Sequence, residues 1–257
     1  LQEQYLLNLY HPSRIRVDLC QALALRGHLL DPLRIEFIPH HLCHAASAYY
    51  CSGFSEASIL TVDGSGEEFS TFMWHGVGDR IKEMKSVKLP HSLGGFYASF
   101  TEFLGFKAYQ DEGKLMGLAP YGEYSAEIQA KVDEVLPYDP DSGEFQTNPY
   151  MRYLGARTYG RRFTDRFVEL FGKPRLSHLP ITDYHRDLAF NVQWRLEQIV
   201  AAMVRSLIAM TGVPSLCLAG GVAMNCCMNG KLSQMDAVKQ IFVQPASSDN
   251  GIALGAA

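Results

Sequence analysis

Apolar and polar residues recur along this chain with two different periods. Residues 12–26, PSRIRVDLCQALALR, show helical spacing, with Ser13 placed to cap the helix and Gly27 to end it. RIEFIP follows as a short strand closed by Pro39. The Ala- and aromatic-rich stretch from His40, HHLCHAASAYYCSG, predicts a helix that stops near Gly53. ASILTVDG is apolar on both faces, as a fully buried strand is. EEFSTFMWHG alternates and reads as the return strand of a hairpin, with Asp63-Gly64-Ser65-Gly66 as its turn; DRIKEMKSVKLP supplies a third strand.

The second half is dominated by helical periodicity. LGGFYASFTEFLGF has an apolar face, DEGKLMGLAPYGE is Gly-rich and partly helical, and residues 124–136 form a further helix. Residues 137–185 are loop-rich, with many Tyr, Pro and Arg, and are expected to be an irregular insertion outside the core. A long helix over 186–211 precedes GVPSLCLAGGVAMNCCMNGKL, a strand, a glycine turn and a helix; KQIFVQPASSDNGIALGAA repeats that theme. A meander followed by two βα units predicts an α/β fold with a mixed sheet and flanking helices.

Composition narrows the function classes. Hydrophobic residues make up 47% and charged residues 19% of 257 positions, which suits a folded chain with a sizeable core. A net charge of −4 gives no sign of a nucleic-acid or membrane-surface partner, and no apolar run reaches the ~18 residues of a membrane span. Six cysteines without CxxC spacing read as free thiols of a reducing, cytoplasmic environment. The chain starts without Met and stops in a helix without a cap, so both ends read as cut from a longer polypeptide.

Five stretches carry candidate chemistry. His40 and His44 are one helical turn apart, so both imidazoles can face one object, either as metal ligands or as ordinary capping or exposed side chains. Cys43 points off that shared face and reads as packing. HExxH is absent, which removes the glutamate of a metalloprotease. Asp63 ends a buried strand, where ligands gather in α/β sheets, and is a candidate partner of the two histidines. DGSGEE offers backbone N–H groups to phosphate, or is a plain hairpin. Gly220-Gly221 sits between a strand and a helix, where a nucleotide could approach backbone, but fits neither GxGxxG nor the P-loop pattern. Asp249 caps a helix or ligates a metal, and Lys114 neutralises an anion or is a surface charge.

The set HHLCHAASAYYCSGF, TVDGSGE, SLGGFYASFTEFLGF, KLMGLAPYG, GGVAMNCCMNGKL and PASSDNGIALGAA, in this order and spacing, resembles the O-carbamoyltransferase family of the NodU/CmcH type. The resemblance implies an actin-like ATPase (Hsp70/sugar-kinase/Kae1-like) fold, a duplicated ribonuclease-H-like domain of which residues 1–257 are a part. It implies carbamoyl transfer from a carbamoyl-adenylate, made from ATP and carbamoyl phosphate, to a hydroxyl of a sugar or other small-molecule acceptor. In such proteins a C-terminal YrdC-like domain makes the adenylate, and a Gly-His-Asp segment opens the chain; neither is in this sequence. Carried onto this chain, the metal ligands fall on His40, His44, Asp63 and Asp249, for Fe(II), Mn(II) or Zn(II). Gly64, Ser65 and Gly66 would approach phosphate, and Gly220, Gly221 and Asn225 would line the nucleotide. Lys114 would touch the adenylate or substrate, and His41 would face substrate or sit behind the metal ligands. A related transferase acting on tRNA or on a maturation protein, and a non-catalytic nucleotide- and metal-binding module, are the alternatives. A homodimer is left open.

Overall fold

The computed structural model describes residues 11–147, 150 and 161–257. The chain divides into two units, Leu1–Pro39 and His40–Ala257. In the first, helix α1 spans Pro12–Ala24, with proline in its first turn, where a missing N–H costs nothing. Ser13 does not cap it; its Oγ lies 2.6 Å from Nδ1 of His11. The strand expected at RIEFIP does not form. Strands need a neighbour for their backbone groups, and here the Arg16 guanidinium takes the Ile35 carbonyl, at 3.3 and 3.1 Å, while lying over the Phe37 ring. Pro39 removes a further donor.

The second unit is built on one five-stranded mixed sheet of order β3-β2-β1-β4-β5. Helix α2 (His40–Ser52) leads into β1 (Glu56–Gly66), β2 (Phe69–Val77) and β3 (Arg80–Lys88), the antiparallel meander read from the sequence. Helices α3 (Leu93–Phe103), α4 (Glu112–Leu118), α5 (Ala126–Val135), α6 (Asp165–Phe171) and α7 (Asp183–Thr211) follow. Then come β4 (Ser215–Ala219), α8 (Cys226–Ser233), β5 (Gln240–Val243) and the short α9 (Ile252–Ala256). Strand β4 runs parallel to β1, and β5 parallel to β4. Among the described residues there is this single sheet, not the two that a complete duplication would contain.

The alternation of β1 sorts the core into two layers. Ile59 faces α2, where Ala45, Ala48 and Tyr49 repeat at helical spacing and pack with Phe72, Trp74, Cys217 and Ala219. Leu60 and Val62 face the opposite layer, where Phe96 and Phe100 of α3 and Leu196, Ile199 and Met203 of α7 lie. Both faces of the central strand are therefore covered, as its unbroken apolar run predicts.

Two expectations are corrected. The turn of the first hairpin is Glu67-Glu68, not Asp63–Gly66. Gly66 pairs with Phe69, and the register slips between Val62 and Gly66, so Asp63-Gly64-Ser65 form an irregularity inside β1. Such a bulge bends a strand and re-aims its side chains. Second, the 137–185 segment is not peripheral throughout. Residues 148, 149 and 151–160 lie outside the described residues, but α6 forms behind a Thr164 cap and inserts Phe167 and Phe171 beside Phe100 and Phe103. The Tyr, Pro and Arg content of the segment masked this aromatic set. Phe167 is fully buried, so Phe167→Ala is expected to destabilise the protein by about 3–5 kcal/mol. Chemical denaturation checks this; a loss below about 1 kcal/mol would mean that α6 is dispensable to the core.

Candidate metal centre

The histidine stretch starts at the first residue of α2. Its N-terminal backbone is capped from the hairpin tip: the His40 amide donates to Oε1 of Glu67 at 3.1 Å. His40 and His44 then lie one turn apart over the bulge of β1. Close approach is possible because Gly66 has no side chain; a Cβ there would come within 2.3 Å of the His40 ring. Asp63 is fixed on the same bulge, its Oδ1 accepting the Gly64 amide at 2.6 Å. Asp249 arrives from the opposite end of the chain, in a short 3-10 turn before α9. That helix is locked onto α2, since a Cβ on Gly255 would fall 1.8 Å from the Cys43 carbonyl oxygen.

Four side chains converge as a result. Asp63 Oδ2 is 3.2 Å from Nε2 of His40 and 3.0 Å from Nε2 of His44, and the two nitrogens are 3.1 Å apart. Asp249 Oδ1 is 3.6 Å from both. His44 is fully buried, whereas Asp249 is the open edge, its side chain 67% exposed. The hydrogen bond to Asp63 raises the His40 pKa against the opposing effect of burial. Burial would push the Asp63 carboxyl up, but hydrogen bonds from His40 and His44 outweigh it and hold the group well below the usual carboxylate range.

The donor set fits a divalent transition metal. Bonds of about 2.0–2.1 Å imply ligand–ligand edges of about 2.9 Å in an octahedron and about 3.3 Å in a tetrahedron. The separations of 3.0, 3.1, 3.2 and 3.6 Å bracket the tetrahedral edge and lie just above the octahedral one. Two imidazole nitrogens this close cannot both carry protons comfortably, and a cation at their common focus takes both lone pairs instead. Imidazole with carboxylate suits Fe(II), Zn(II) or Mn(II). Among the described residues this is the one group of three or more His, Cys, Asp or Glu that gathers so tightly. One feature is unusual for a ligating histidine: the buried Nδ1 of His44 has no hydrogen-bond partner among the described residues.

His41 is directed elsewhere. Its Nδ1 lies 3.1 Å from the Thr61 hydroxyl, which accepts from the Trp74 indole N–H, also at 3.1 Å. The Thr61 hydroxyl proton therefore goes to Nδ1, and Nε2–H donates to the Phe69 carbonyl at 3.4 Å. With both ring nitrogens engaged and burial lowering its pKa to about 4, His41 is a neutral residue that ties α2 to the sheet. Its ring nitrogens point to Thr61 and Phe69 and not to the four donors.

The predicted glycines do gather at the centre. Gly220, with φ of +93°, passes so close to the end of β1 that a Cβ would fall 2.2 Å from the Val62 carbonyl oxygen. A Cβ on Gly221 would lie 3.0 Å from Oδ1 of Asp63. Gly64 and the half-buried Ser65 occupy the bulge itself. Asn225 is removed from this group: it is buried, caps α8 through the Met228 amide, and exchanges hydrogen bonds with Gln193. Lys114 is not one of the four donors. It pairs with Asp111 at 2.9 Å on the wall of a cleft of about 480 Å³, shared with Phe106, Lys107 and Arg175. The sequence reading missed Glu67 as the cap of α2. A carboxylate at a two-residue turn gave no signal until the register was known.

Comparison with known proteins places the chain in a family. Residues 3–257 match the family described as "Carbamoyltransferase N-terminus". The chain belongs to it. It is 41% identical to an uncharacterized protein of Synechocystis sp. over 86% of its own length, covering 35% of that protein. It is 38% identical to the nodulation protein NolNO of Sinorhizobium fredii over 95% of its length, again covering 35% of the relative. The chain thus spans about a third of these curated relatives. Among solved structures, HypF of T. kodakarensis superposes on 85% of this chain and 36% of its own, at 14% identity and a TM-score of 0.42.

Two outcomes test the centre. His44→Ala is expected to abolish stoichiometric metal in purified protein, measured by elemental analysis; unchanged metal content would remove the site. Because both imidazoles must be deprotonated to bind, and Asp63 holds the His40 pKa above its ordinary value of about 6.5, affinity should already fall as pH drops toward that value. A pH titration of metal release checks the sign, since acid competes for the same lone pairs.

Proposed function

We propose that this chain carries the transfer site of an O-carbamoyltransferase. The carbamoyl group would pass from a carbamoyl-adenylate, formed elsewhere in the protein from ATP and carbamoyl phosphate, to a hydroxyl of a sugar or other small-molecule acceptor. Family membership supports the reaction class, and the convergence of His40, His44, Asp63 and Asp249 is the observation that carries the reading to this site. The sheet order and the placement of the glycine turns at the end of β1 support an actin-like fold for the whole protein. The substrates, ATP and carbamoyl phosphate, are those of a cytoplasmic enzyme, and no helix among the described residues is long and apolar enough to cross a membrane.

A divalent metal held by the four donors would supply charge neutralisation at the phosphate as AMP departs. The protein's own residues do the rest. Asp63 and Asp249 bring two negative charges, so the loaded centre is electrically balanced before the ligand arrives. Asp249, being exposed, is the side from which substrate reaches the centre. The Gly220-Gly221 and Gly64 backbones leave room for a nucleotide to lie against the end of β1. Holding the acceptor hydroxyl beside the carbamoyl carbon contributes the proximity advantage.

In the full-length gene product, ATP- and carbamoyl-phosphate-dependent pyrophosphate release is expected for the wild type. His44→Ala should retain that release but reduce carbamoyl transfer to a hydroxyl acceptor by at least about 100-fold. Absence of pyrophosphate release with every nucleotide would sink the enzyme reading. Equal transfer by the variant would place the chemistry elsewhere.

A further inference from the structure

We propose that Arg162, stacked on Tyr109 beside Gly64, forms an anion subsite that binds a phosphate group of the ligand held at the four-donor centre. The inference deepens the carbamoyl-adenylate reading and rests on it for the identity of that ligand.

Tyr109 is a non-glycine residue with a φ of +61°, a conformation that costs energy unless its surroundings enforce it. Glu112 does so by accepting the Tyr109 amide at 2.5 Å. The ring is thereby pressed onto the bulge of β1: a Cβ added to Gly64 would lie 3.3 Å from its Cε1. Gly64 adjoins the metal-ligand candidate Asp63. The Arg162 guanidinium stands 4.4 Å from the centroid of the same ring. Stacking on an aromatic face fixes the plane of a guanidinium and leaves its edge donors available for a phosphate or carboxylate.

One of those donors is not consumed by protein. Nε of Arg162 is buried and has no hydrogen-bond partner among the described residues. The Glu102 carboxylate is 3.9 Å from that Nε, beyond hydrogen-bonding distance, and already accepts the Arg162 backbone amide at 3.1 Å. Burial raises the pKa of Glu112, the other nearby carboxylate, and the Arg162 charge acts against that shift. The charge count points the same way. Asp63 and Asp249 offset much of the charge of a divalent cation, and Arg162 adds a positive charge over the Tyr109 ring, which itself lies against Gly64.

The test measures binding of AMP and of inorganic phosphate to the metal-loaded, full-length gene product by calorimetry. Arg162→Gln is expected to weaken both by about 10- to 100-fold, the loss of one charge-assisted contact, with metal content and melting temperature unchanged. Arg162→Lys, which keeps the charge beside Glu102 but not the plane, should recover only part of the affinity; it also decides the matter if the glutamine variant fails to fold. AMP affinity equal to wild type in either folded variant overturns the subsite and leaves the carbamoyl-adenylate reading intact. Phosphate binding that depends on Arg162, in a protein that binds no AMP and transfers no carbamoyl group, upholds the subsite and removes the adenylate. Failure of the wild type to bind either probe overturns the subsite.

Discussion

A carboxylate at the end of a buried strand sets the organisation of this protein. Asp63 loses hydration in the layer between α2 and the sheet, and that loss is offset only if positive or donor groups surround it. His40 and His44 do so at 3.2 and 3.0 Å. They can reach it because α2 begins at His40, capped by Glu67, and because Gly66 leaves room for the ring. The bulge of β1, the start of α2 and the tip of the hairpin are therefore one unit. A change at any of them moves the others.

The rest of the fold holds that unit still. Tyr49 and the alanines of α2 pack against Ile59, Phe72 and Trp74, and the His41–Thr61–Trp74 chain pins the same helix by hydrogen bonds. On the far side, α3 starts so close to the bulge that its Ser92 cap also donates to the Gly64 carbonyl at 2.7 Å. Gly255 allows α9 to lie directly on α2. Asp249, 186 residues after Asp63 in sequence (249 − 63), is thus set by helix packing and not by local chain geometry. Rigid scaffolds with one exposed ligand are the usual arrangement for a centre that must admit substrate.

Much of this was legible from sequence. The period of four between His40 and His44, the apolar run that ends at Asp63, and the meander were local patterns, and local patterns survive folding when packing agrees with them. What was not legible depended on partners distant in the chain. RIEFIP has strand-like residues, but the Ile35 carbonyl went to the Arg16 side chain instead. The Asp-Gly-Ser-Gly run looked like a turn, and only the pairing of Gly66 with Phe69 shows that it is a bulge. The spacing set His44 with His40, but left open where His41 points. Their roles follow from which side of α2 meets Thr61 and which meets Asp63. The resemblance sets Asn225 along the nucleotide, whereas its cap on α8 and its pairing with the buried Gln193 depend on α7, distant in the chain.

The position of the cationic groups also bears on how the site would treat a charged ligand. A metal balanced by two carboxylates attracts a phosphate weakly at long range, so binding relies on short, directional contacts. The glycine-lined end of β1 offers backbone N–H groups, which orient without adding net charge. Arg162, over the Tyr109 ring, is the formal charge proposed to complement the centre. Lys114 stands in another cleft, where it pairs with Asp111 at 2.9 Å and its side chain is 60% exposed. The strain stored at Tyr109 has a function on this view. It keeps an aromatic platform over Gly64, so that a long and otherwise mobile arginine side chain is already in place when the anion arrives, and less rotamer entropy is lost on binding.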